Sequence, residues 1–145
     1  MVIRSIRQVV KDRSLNAVAP TATICEACAK LNDADVGALA VMDGDQLVGI
    51  VSERDVVRRA VGKGMQAEVT MVREIMTEAP ATIDADASLA DALQAMLAGR
   101  FRHMPVTSDG AVHSMLSIRD IPTEYRLMWE RFTEYQDGDP ELEAV

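Results

Sequence analysis

The stretch Val48-Gly49-Ile50-Val51-Ser52-Glu53-Arg54-Asp55 decides how this chain is interpreted. Its apolar first half predicts a short buried β-strand that ends at the hydroxyl of Ser52. A hydroxyl at a strand end, with Asp55 three residues later, is typical of a helix start, where the side chains cap free backbone N–H groups. The same groups also suit a nucleotide, because a hydroxyl and the Arg54 guanidinium can bind phosphate and a carboxylate can bind a ribose diol. Both interpretations stay open at this point.

A second copy of the pattern, Met115-Leu116-Ser117-Ile118-Arg119-Asp120, lies 65 residues further on (119 − 54 = 65). The match continues backwards without a gap, in apolar pattern more than in identity. Residues 23–28 fall on residues 88–93, and residues 38–41 fall on residues 103–106. The chain is therefore predicted to contain a duplicated unit of roughly 60 residues.

Two copies are too few for a solenoid and predict one module with pseudo-two-fold symmetry. We place the first repeat at residues 1–66, the second at residues 67–126, and the end of the last helix with an acidic tail at residues 127–145. The chain of 145 residues is one domain's worth and long enough to bury a core.

Composition narrows the function classes. Hydrophobic residues make up 48% and aromatic residues only 3%, so the core is expected to consist of Ala, Val, Ile, Leu and Met. The net charge of −8 argues against a nucleic-acid partner. No stretch approaches the ~20 apolar residues of a membrane span, and the N-terminus has no apolar signal core. We therefore expect a cytoplasmic protein without membrane contact.

The local signals of the first repeat predict its elements. Thr23 and Glu26 form a capping-box pattern before a helix. The apolar face of that helix recurs at i, i+3, i+4 and i+7, in Ile24, Ala27, Cys28 and Leu31. Residues 37–42 and 46–52 predict two strands joined by a tight turn. Residues 55–61 predict a helix that Gly62 and Gly64 terminate.

The second repeat shows the same order of signals. Ser88 and Asp91 form the capping pattern, and residues 103–107 and 111–117 predict the two strands. Each repeat thus reads as strand, helix, strand, strand, helix. This predicts an α/β (α+β) fold of two small sheets with helices on one face of each, packed together on their other faces. Clefts between the sheets are expected beside the two Ser-x-Arg-Asp segments.

Cys25 and Cys28 form a C-x-x-C on the first predicted helix. They align with Ala90 and Leu93, which indicates small core positions. A redox pair or half of a metal site is the weaker alternative, because there is no second C-x-x-C and both histidines are far away in sequence. The chain has no P-loop, G-x-G-x-x-G or nucleophile turn, so we expect no catalytic activity.

At this point the chain resembles a known family, the CBS domain, named after cystathionine β-synthase. The resemblance covers about residues 3 to 125 and rests on the order of elements and three segments, Gly49-Ile50-Val51-Ser52-Glu53-Arg54-Asp55, Val72-Arg73-Glu74-Ile75-Met76-Thr77 and Arg102-His103-Met104-Pro105-Val106. A tandem pair of these domains is called a Bateman module. The resemblance implies a regulatory module that binds an adenosine-containing ligand (AMP, ADP, ATP, NAD or S-adenosylmethionine) and acts on a partner protein that the sequence does not identify.

The resemblance also implies which residues line the two clefts. The motif Asp would contact the ribose, the motif Ser the phosphate or ribose, and apolar strand residues the adenine. For the first cleft the expected residues are Val18, Ala38, Leu39, Ala40, Ser52, Arg54 and Asp55. For the second cleft they are Thr82, Ile83, Arg102, His103, Met104, Pro105, Ser117, Arg119 and Asp120. The arginines and His103 enter as candidate anion ligands, with a solvated surface as the alternative, and Asp55 and Asp120 could be structural helix-end acids.

The second repeat departs from the family pattern. Ser114 stands where the first repeat has Gly49, His113 and Met115 flank it, and Pro122 follows the motif at once. We therefore expect the first cleft to bind ligand better.

The last helix carries Tyr125, Met128, Trp129, Phe132 and Tyr135, nearly all the aromatic residues, which predicts a two-fold homodimer. The acidic tail from Asp137 is expected to fray. The alternative function is a structural dimerisation module with vestigial clefts. An enzyme that uses the cysteine pair is the weakest hypothesis.

Overall fold

The computed structural model describes residues 5–137, without the side chains of residues 133 and 135–137. The predicted fraying tail lies outside the described residues. Within them the α-helices are α1 Ile6–Val10, α2 Ile24–Ala34, α3 Glu53–Asp55, α4 Leu89–Gly99 and α5 Thr123–Asp137. The strands are β1 Ala17–Val18, β2 Ala38–Asp43, β3 Gln46–Ser52, β4 Thr77–Glu78, β5 Ile83–Asp84, β6 His103–Ser108 and β7 Ala111–Ser117.

The seven strands form two sheets. The first has the order β1-β2-β3-β4, and the second has the order β5-β6-β7. In each sheet a short parallel strand precedes an antiparallel hairpin. A register irregularity falls between Val41 and Met42 in one hairpin and between Val106 and Thr107 in the other, which are equivalent positions. The predicted duplication is confirmed at this level of detail.

Local sequence signals account for the helix starts. Thr23 Oγ1 accepts from Glu26 N at 3.1 Å, and the Glu26 carboxylate accepts from Thr23 N at 3.3 Å, so the predicted capping box is present. Ser88 and Asp91 make the same reciprocal pair at α4. Each box satisfies two backbone N–H groups that a helix start otherwise leaves free. At the other end of the helical run after β3, Gly64 adopts the left-handed conformation with φ of 69°, as a helix stop requires.

The helix after β3 differs from its prediction. It begins at Glu53, two residues earlier than expected, and continues as a π-helix at Val56–Ala60 and a 3₁₀ turn at Val61–Lys63. Before β4 the chain forms a single 3₁₀ turn, Val72–Glu74. β4 itself was not predicted, because two residues are too few to show the alternation of a strand.

Each hydrophobic core is completed by a segment from the other repeat. Ile6 and Val10 of α1 are buried in a core made otherwise of residues from the second repeat, including Leu93, Met104 and Leu116. In return, Val72 and Ile75, which precede the second sheet, are buried in the first core. Burying one such side chain is worth about 1.5–3 kcal/mol, so each exchanged segment adds several kcal/mol to the stability of the opposite repeat.

Backbone hydrogen bonds hold the exchanged segments in place. Arg7 N donates to Ala85 O at 3.1 Å, and Val72 N donates to Ala22 O at 2.8 Å. β4 also pairs with β3 in the first sheet, although it follows the linker in sequence. The two repeats therefore interlock instead of merely touching.

The expectation that both cysteines occupy core positions was wrong for Cys25. Ile24, Ala27 and Leu31 are buried on the inner face of α2, and Cys28 is half-buried beside them. Cys25 is exposed, because one helical step from Ile24 turns its side chain away from the sheet. Both cysteines are free, and burial raises the pKa of the Cys28 thiol, which makes that thiol less reactive.

The interlock generates a prediction about the isolated repeats. If a protease site is placed between Gly64 and Thr70, the cleaved chain is expected to stay together as a complex, because each half holds a segment buried in the other. Each half expressed alone is expected to self-associate, since the exposed core exceeds what a soluble monomer tolerates. Size-exclusion chromatography and thermal unfolding of the same chain before and after cleavage test this. Two monomeric halves that unfold cooperatively on their own would contradict it.

Candidate functional site

The first motif is a capping box at the end of β3. Ser52 Oγ accepts from Asp55 N at 3.2 Å, while Asp55 Oδ2 accepts from Ser52 N at 2.9 Å and from Ser52 Oγ at 3.0 Å. The Asp55 side chain is only 13% exposed. The structural interpretation of this aspartate, as a helix-start acid, is therefore confirmed. The box also fixes the carboxylate and the hydroxyl in one orientation.

The second carboxylate oxygen of Asp55 is loosely held. Asp55 Oδ1 lies 3.7 Å from Arg59 Nε, beyond hydrogen-bond distance. Arg59 Nη1 instead donates to Ile75 O and Met76 O, each at 3.2 Å. Arg59 lies in the π-helical turn, a feature that occurs often at functional sites. It connects the first motif to the segment that leads into the second repeat.

The second motif has a related but tighter geometry. Asp120 Oδ2 accepts from Ser117 N at 2.7 Å, and Ser117 Oγ accepts from Arg119 N at 3.2 Å. The helical segment is one 3₁₀ turn, Ile118–Asp120, followed by Ile121 in an extended conformation. Pro122 explains this break, because the residue before a proline is forced out of the helical region. The motif turn and α5 are thus separate elements in the second repeat.

Arg13 binds the second motif aspartate. Its Nη2 lies 2.6 Å from Asp120 Oδ1, and its Nη1 lies 2.7 Å from Asp120 Oδ2. Nη1 also donates to Met115 O at 3.2 Å. The hydrogen bond to Asp120 raises the pKa of Arg13, so the guanidinium remains charged. Parallel N–H···O bonds of this kind are among the stronger ion pairs in proteins.

The strand residues predicted to contact adenine divide between two faces of their sheets. Leu39 lies in the first core and Met104 in the second core, under the helices. Ala38 and Ala40 alternate with Leu39, and His103 and Pro105 alternate with Met104, so these four point to the opposite face. Ala38 pairs with Ser52, and His103 pairs with Ser117, which brings each strand start beside its motif.

The short parallel strands lie at the far side of each hairpin. Val18 pairs with Val41 and is half-buried, and Ile83 pairs with Val106 and is buried in the second core. Thr82, just before β5, is exposed.

The arginines predicted as anion ligands lie in or next to the two motifs and the start of β6. Arg54, Arg102 and Arg119 are exposed and make no ion pair with another described residue. These three exposed guanidinium groups remain available to an anion approaching from solvent.

His103 joins the two repeats at the site. A Cβ on Gly37, at the entrance to β2, would meet His103 Nε2 at 3.1 Å, so the glycine makes room for the ring. Burial lowers the pKa of His103, while the charges of Glu53 and Asp120 oppose that shift. The imidazole therefore lies within the electrostatic reach of both motifs.

A groove that the sequence did not predict lies on the helix side of the first repeat. It has a volume of about 490 Å³ and runs between α2 and the helix after β3. Its lining residues are Cys28, Ala29, Leu31, Asn32, Glu53, Val56 and Val57. Only Glu53 belongs to the motif, so the groove is separate from the predicted adenine contacts.

Residues 5–137 contain neither a candidate metal site nor a candidate membrane span. No group of three or more His, Cys, Asp and Glu side chains is arranged to hold a metal ion there. None of the helices in that part of the chain combines the length and apolarity needed to cross a membrane.

Sequence reasoning missed the contributions of Arg13, Arg59 and Gly37. Arg13 contacts Asp120 across 107 positions, and no local pattern marks it. Arg59 had a weak signal, since it lies four residues after Asp55 on a predicted helix. Gly37 had the general signal of a glycine at a strand entrance.

Comparison with known proteins identifies the family of this chain. The family model of the CBS domain matches residues 6–62 and 72–124. A CBS domain-containing protein of Arabidopsis thaliana is 35% identical over 97 residues, 66% of this chain. The chain spans only 17–21% of the length of the Arabidopsis relatives it matches.

Two solved structures are similar over most of the chain. A signal-transduction protein with CBS domains from Burkholderia ambifaria is 30% identical with a TM-score of 0.77, over 81% of this chain and 90% of its own. A CBS domain protein from Pyrobaculum aerophilum, solved in complex with AMP, is 26% identical with a TM-score of 0.76, over 90% of this chain and 99% of its own. With both repeats matched by the family model, this chain belongs to the CBS domain family as a tandem pair.

Proposed function

We propose that the chain is a non-catalytic regulatory module that binds an adenine nucleotide (AMP, ADP, ATP or NAD) beside its two Ser–Asp motifs. The observation that carries the proposal is the repetition of one arrangement, a serine hydroxyl and an oriented carboxylate at equivalent strand ends. The AMP complex of the Pyrobaculum relative supports the choice of ligand.

In this proposal the capping box prepares the ribose site. Asp55 Oδ2 is used by Ser52, and Oδ1 is available to accept hydrogen bonds from the ribose hydroxyls. Ala38 and Ala40, which are 2% and 0% exposed, would form the apolar wall for adenine once ligand entry uncovers them, with Val18 next to it. Arg54 would bind phosphate, since its exposed side chain can reorient toward an anion.

The second cleft would use the equivalent groups. His103 and Pro105 would form the wall, and Asp120 would bind the ribose with Ser117 beside it. Arg102 and Arg119 would bind phosphate. Leu39, Met104 and Ile83 would support these walls from within the cores, and Thr82 would lie at the rim.

A regulatory output would follow from Arg59. This side chain lies beside Asp55 and bonds to the carbonyls of Ile75 and Met76 in the exchanged segment. A ligand that neutralises or displaces Asp55 would change the position of Arg59, and through it the contact between the repeats. The regulated protein would read that change.

A structural dimerisation module is the second candidate. It is favoured by the observation that both aspartates already have roles as helix caps, which requires no ligand. The two candidate functions predict different nucleotide affinities but the same loss of stability when a motif aspartate is replaced.

Ligand binding is expected to raise the melting temperature. A ligand at ~100 times its Kd that binds only the folded state adds about 2.7 kcal/mol. For a chain of this size each kcal/mol corresponds to about 2–4 °C. We expect a shift with at least one of AMP, ADP, ATP and NAD, and none with GTP. The measurement is thermal unfolding with each nucleotide at millimolar concentration, and the absence of a shift with every adenine compound would refute the proposed function.

Asp55→Ala separates binding from capping. Charged hydrogen bonds to ribose are worth about 1.5–3 kcal/mol each, so AMP binding at the first cleft is expected to weaken at least tenfold. Loss of the cap also lowers the free energy of unfolding by about 0.5–2 kcal/mol. Asp91→Ala is the matched control, because it removes the same type of cap from α4. Calorimetry is expected to show lost affinity only for Asp55→Ala. Equal AMP affinities in both variants would leave the structural candidate standing.

Exposed apolar side chains support the proposed homodimer. Met128 and Phe132 on α5 are 64% and 54% exposed, whereas Tyr125 and Trp129 pack against the second core. Val57 and Val61 form a second exposed set on the helical run of the first repeat. A second copy covering these helices would bury both sets.

A charge on this surface is expected to dissociate the dimer. Met128→Glu is predicted to give a ~16 kDa species by light scattering at micromolar concentration, because a carboxylate in an apolar interface loses its solvation. Leu97→Glu, on α4 and 38% exposed, is the control and should leave the mass unchanged. A parent protein that is already monomeric would count against the dimer.

A further inference from the structure

In the second repeat, the Arg13 guanidinium already occupies the Asp120 carboxylate that is proposed to bind the ribose. Arg13 Nη2 donates to Asp120 Oδ1 at 2.6 Å, and Arg13 Nη1 donates to Asp120 Oδ2 at 2.7 Å. Ser117 N also donates to Oδ2. Both oxygens of the carboxylate are therefore engaged by donors of the same chain. Exposure does not distinguish the two carboxylates, since the Asp120 side chain is 15% and the Asp55 side chain 13% exposed, so the difference lies in their hydrogen-bond partners.

Among the described residues, no guanidinium fork engages Asp55. Its ion-pair partner there is Arg59, whose Nε lies 3.7 Å from Oδ1 and whose Nη1 group is committed to two backbone carbonyls. A single long contact is weaker than a fork of two short hydrogen bonds. The two carboxylates therefore present different acceptors to the same ligand.

Arg13 is held in place by the exchanged segment. It follows α1, whose Ile6 and Val10 are buried in the second core, and Arg13 N donates to Val10 O at 3.0 Å. Its Nη1 also donates to Met115 O on β7. The guanidinium is thus positioned by packing and backbone contacts before any ligand arrives.

We propose that Arg13 determines which cleft a nucleotide occupies, by competing with the ribose hydroxyls for Asp120. This rests on the proposed nucleotide-binding function. A ribose diol offers two neutral donors, whereas Arg13 offers two charged donors in a planar fork that matches the carboxylate. A nucleotide therefore binds first at Asp55 and enters the second cleft only when Arg13 leaves Asp120.

The experiment isolates the second cleft in the full-length chain. With Asp55→Ala as background, AMP binding is measured by calorimetry up to millimolar concentration, with and without Arg13→Ala. We expect the double variant to bind AMP at least threefold more tightly than Asp55→Ala alone. Arg13→Gln, which removes the charge and keeps a donor for Met115 O, provides a second variant and should also tighten binding.

Arg7→Ala is the matched control. Arg7 lies on α1, which Arg13 follows, and like Arg13 it pairs with an aspartate of the second repeat, with Nε 2.9 Å from Asp86 Oδ1, but it makes no ion pair with Asp120. In the Asp55→Ala background it is expected to leave AMP affinity unchanged. A tightening equal to that of Arg13→Ala would show that loosening α1, and not freeing Asp120, is the cause, and would overturn the proposal.

The remaining outcomes separate this inference from the proposed function. Unchanged or weaker AMP binding in both Arg13 variants, with a parent that does bind, overturns the competition and leaves the module a nucleotide binder. Weaker binding would make Arg13 a phosphate ligand instead. If neither the parent nor any variant binds AMP, ADP, ATP or NAD, the proposed function and this inference fail together.

Discussion

The fold depends on the exchange of covering segments between the two repeats. Neither core is complete without side chains from the other half, Ile6 and Val10 in one direction and Val72 and Ile75 in the other. Hydrophobic burial is the main favourable term in folding, so this exchange makes the repeats one cooperative unit. It also sets the site, because each exchanged segment leads directly to residues that touch a motif. Arg13 follows α1, and the Ile75 and Met76 carbonyls bind Arg59.

The capping boxes at the ends of β3 and β7 position the polar groups of the candidate site. The same hydrogen bonds that start a helix hold the carboxylates of Asp55 and Asp120 in fixed orientations. Position, and not the box itself, distinguishes these aspartates from Asp91, which makes the same contacts at α4. Ser52 and Ser117 lie opposite Ala38 and His103 at the ends of their strands, where the two repeats meet. The proposed binding role would therefore coexist with the capping role in one residue, and affinity measurements separate the two.

Local sequence signals predicted the structural features that depend on neighbouring residues, and missed the contacts between residues that are far apart in the sequence. The capping pairs, the hairpins and the Gly64 stop were predictable, because propensity and turn chemistry act within a few positions. The register of the duplication placed Ser117 and Asp120 correctly beside β6. The ion pair of Arg13 with Asp120 had no signal in the sequence, since α1 packs on the opposite repeat. Cys25 was misplaced because Ala90, the residue with which it aligns, was taken for a core residue, whereas both positions are exposed.

The difference between the two clefts follows from how each sheet edge is completed. In the first sheet β4 pairs with β3, Ile50 opposite Thr77, and the close approach of this strand requires Gly49, where a Cβ would meet Thr77 O at 2.9 Å. The second sheet ends at β7, and Met115, the equivalent of Ile50, has its carbonyl bonded by the Arg13 side chain. Without a strand beside it, the position equivalent to Gly49 accommodates Ser114. A guanidinium that satisfies one carbonyl retains further N–H groups, and the nearest acceptor for them is the Asp120 carboxylate. An arginine in place of a backbone edge thus leaves the Asp120 carboxylate occupied where that of Asp55 is not, and under the proposed function the two sites would differ in affinity.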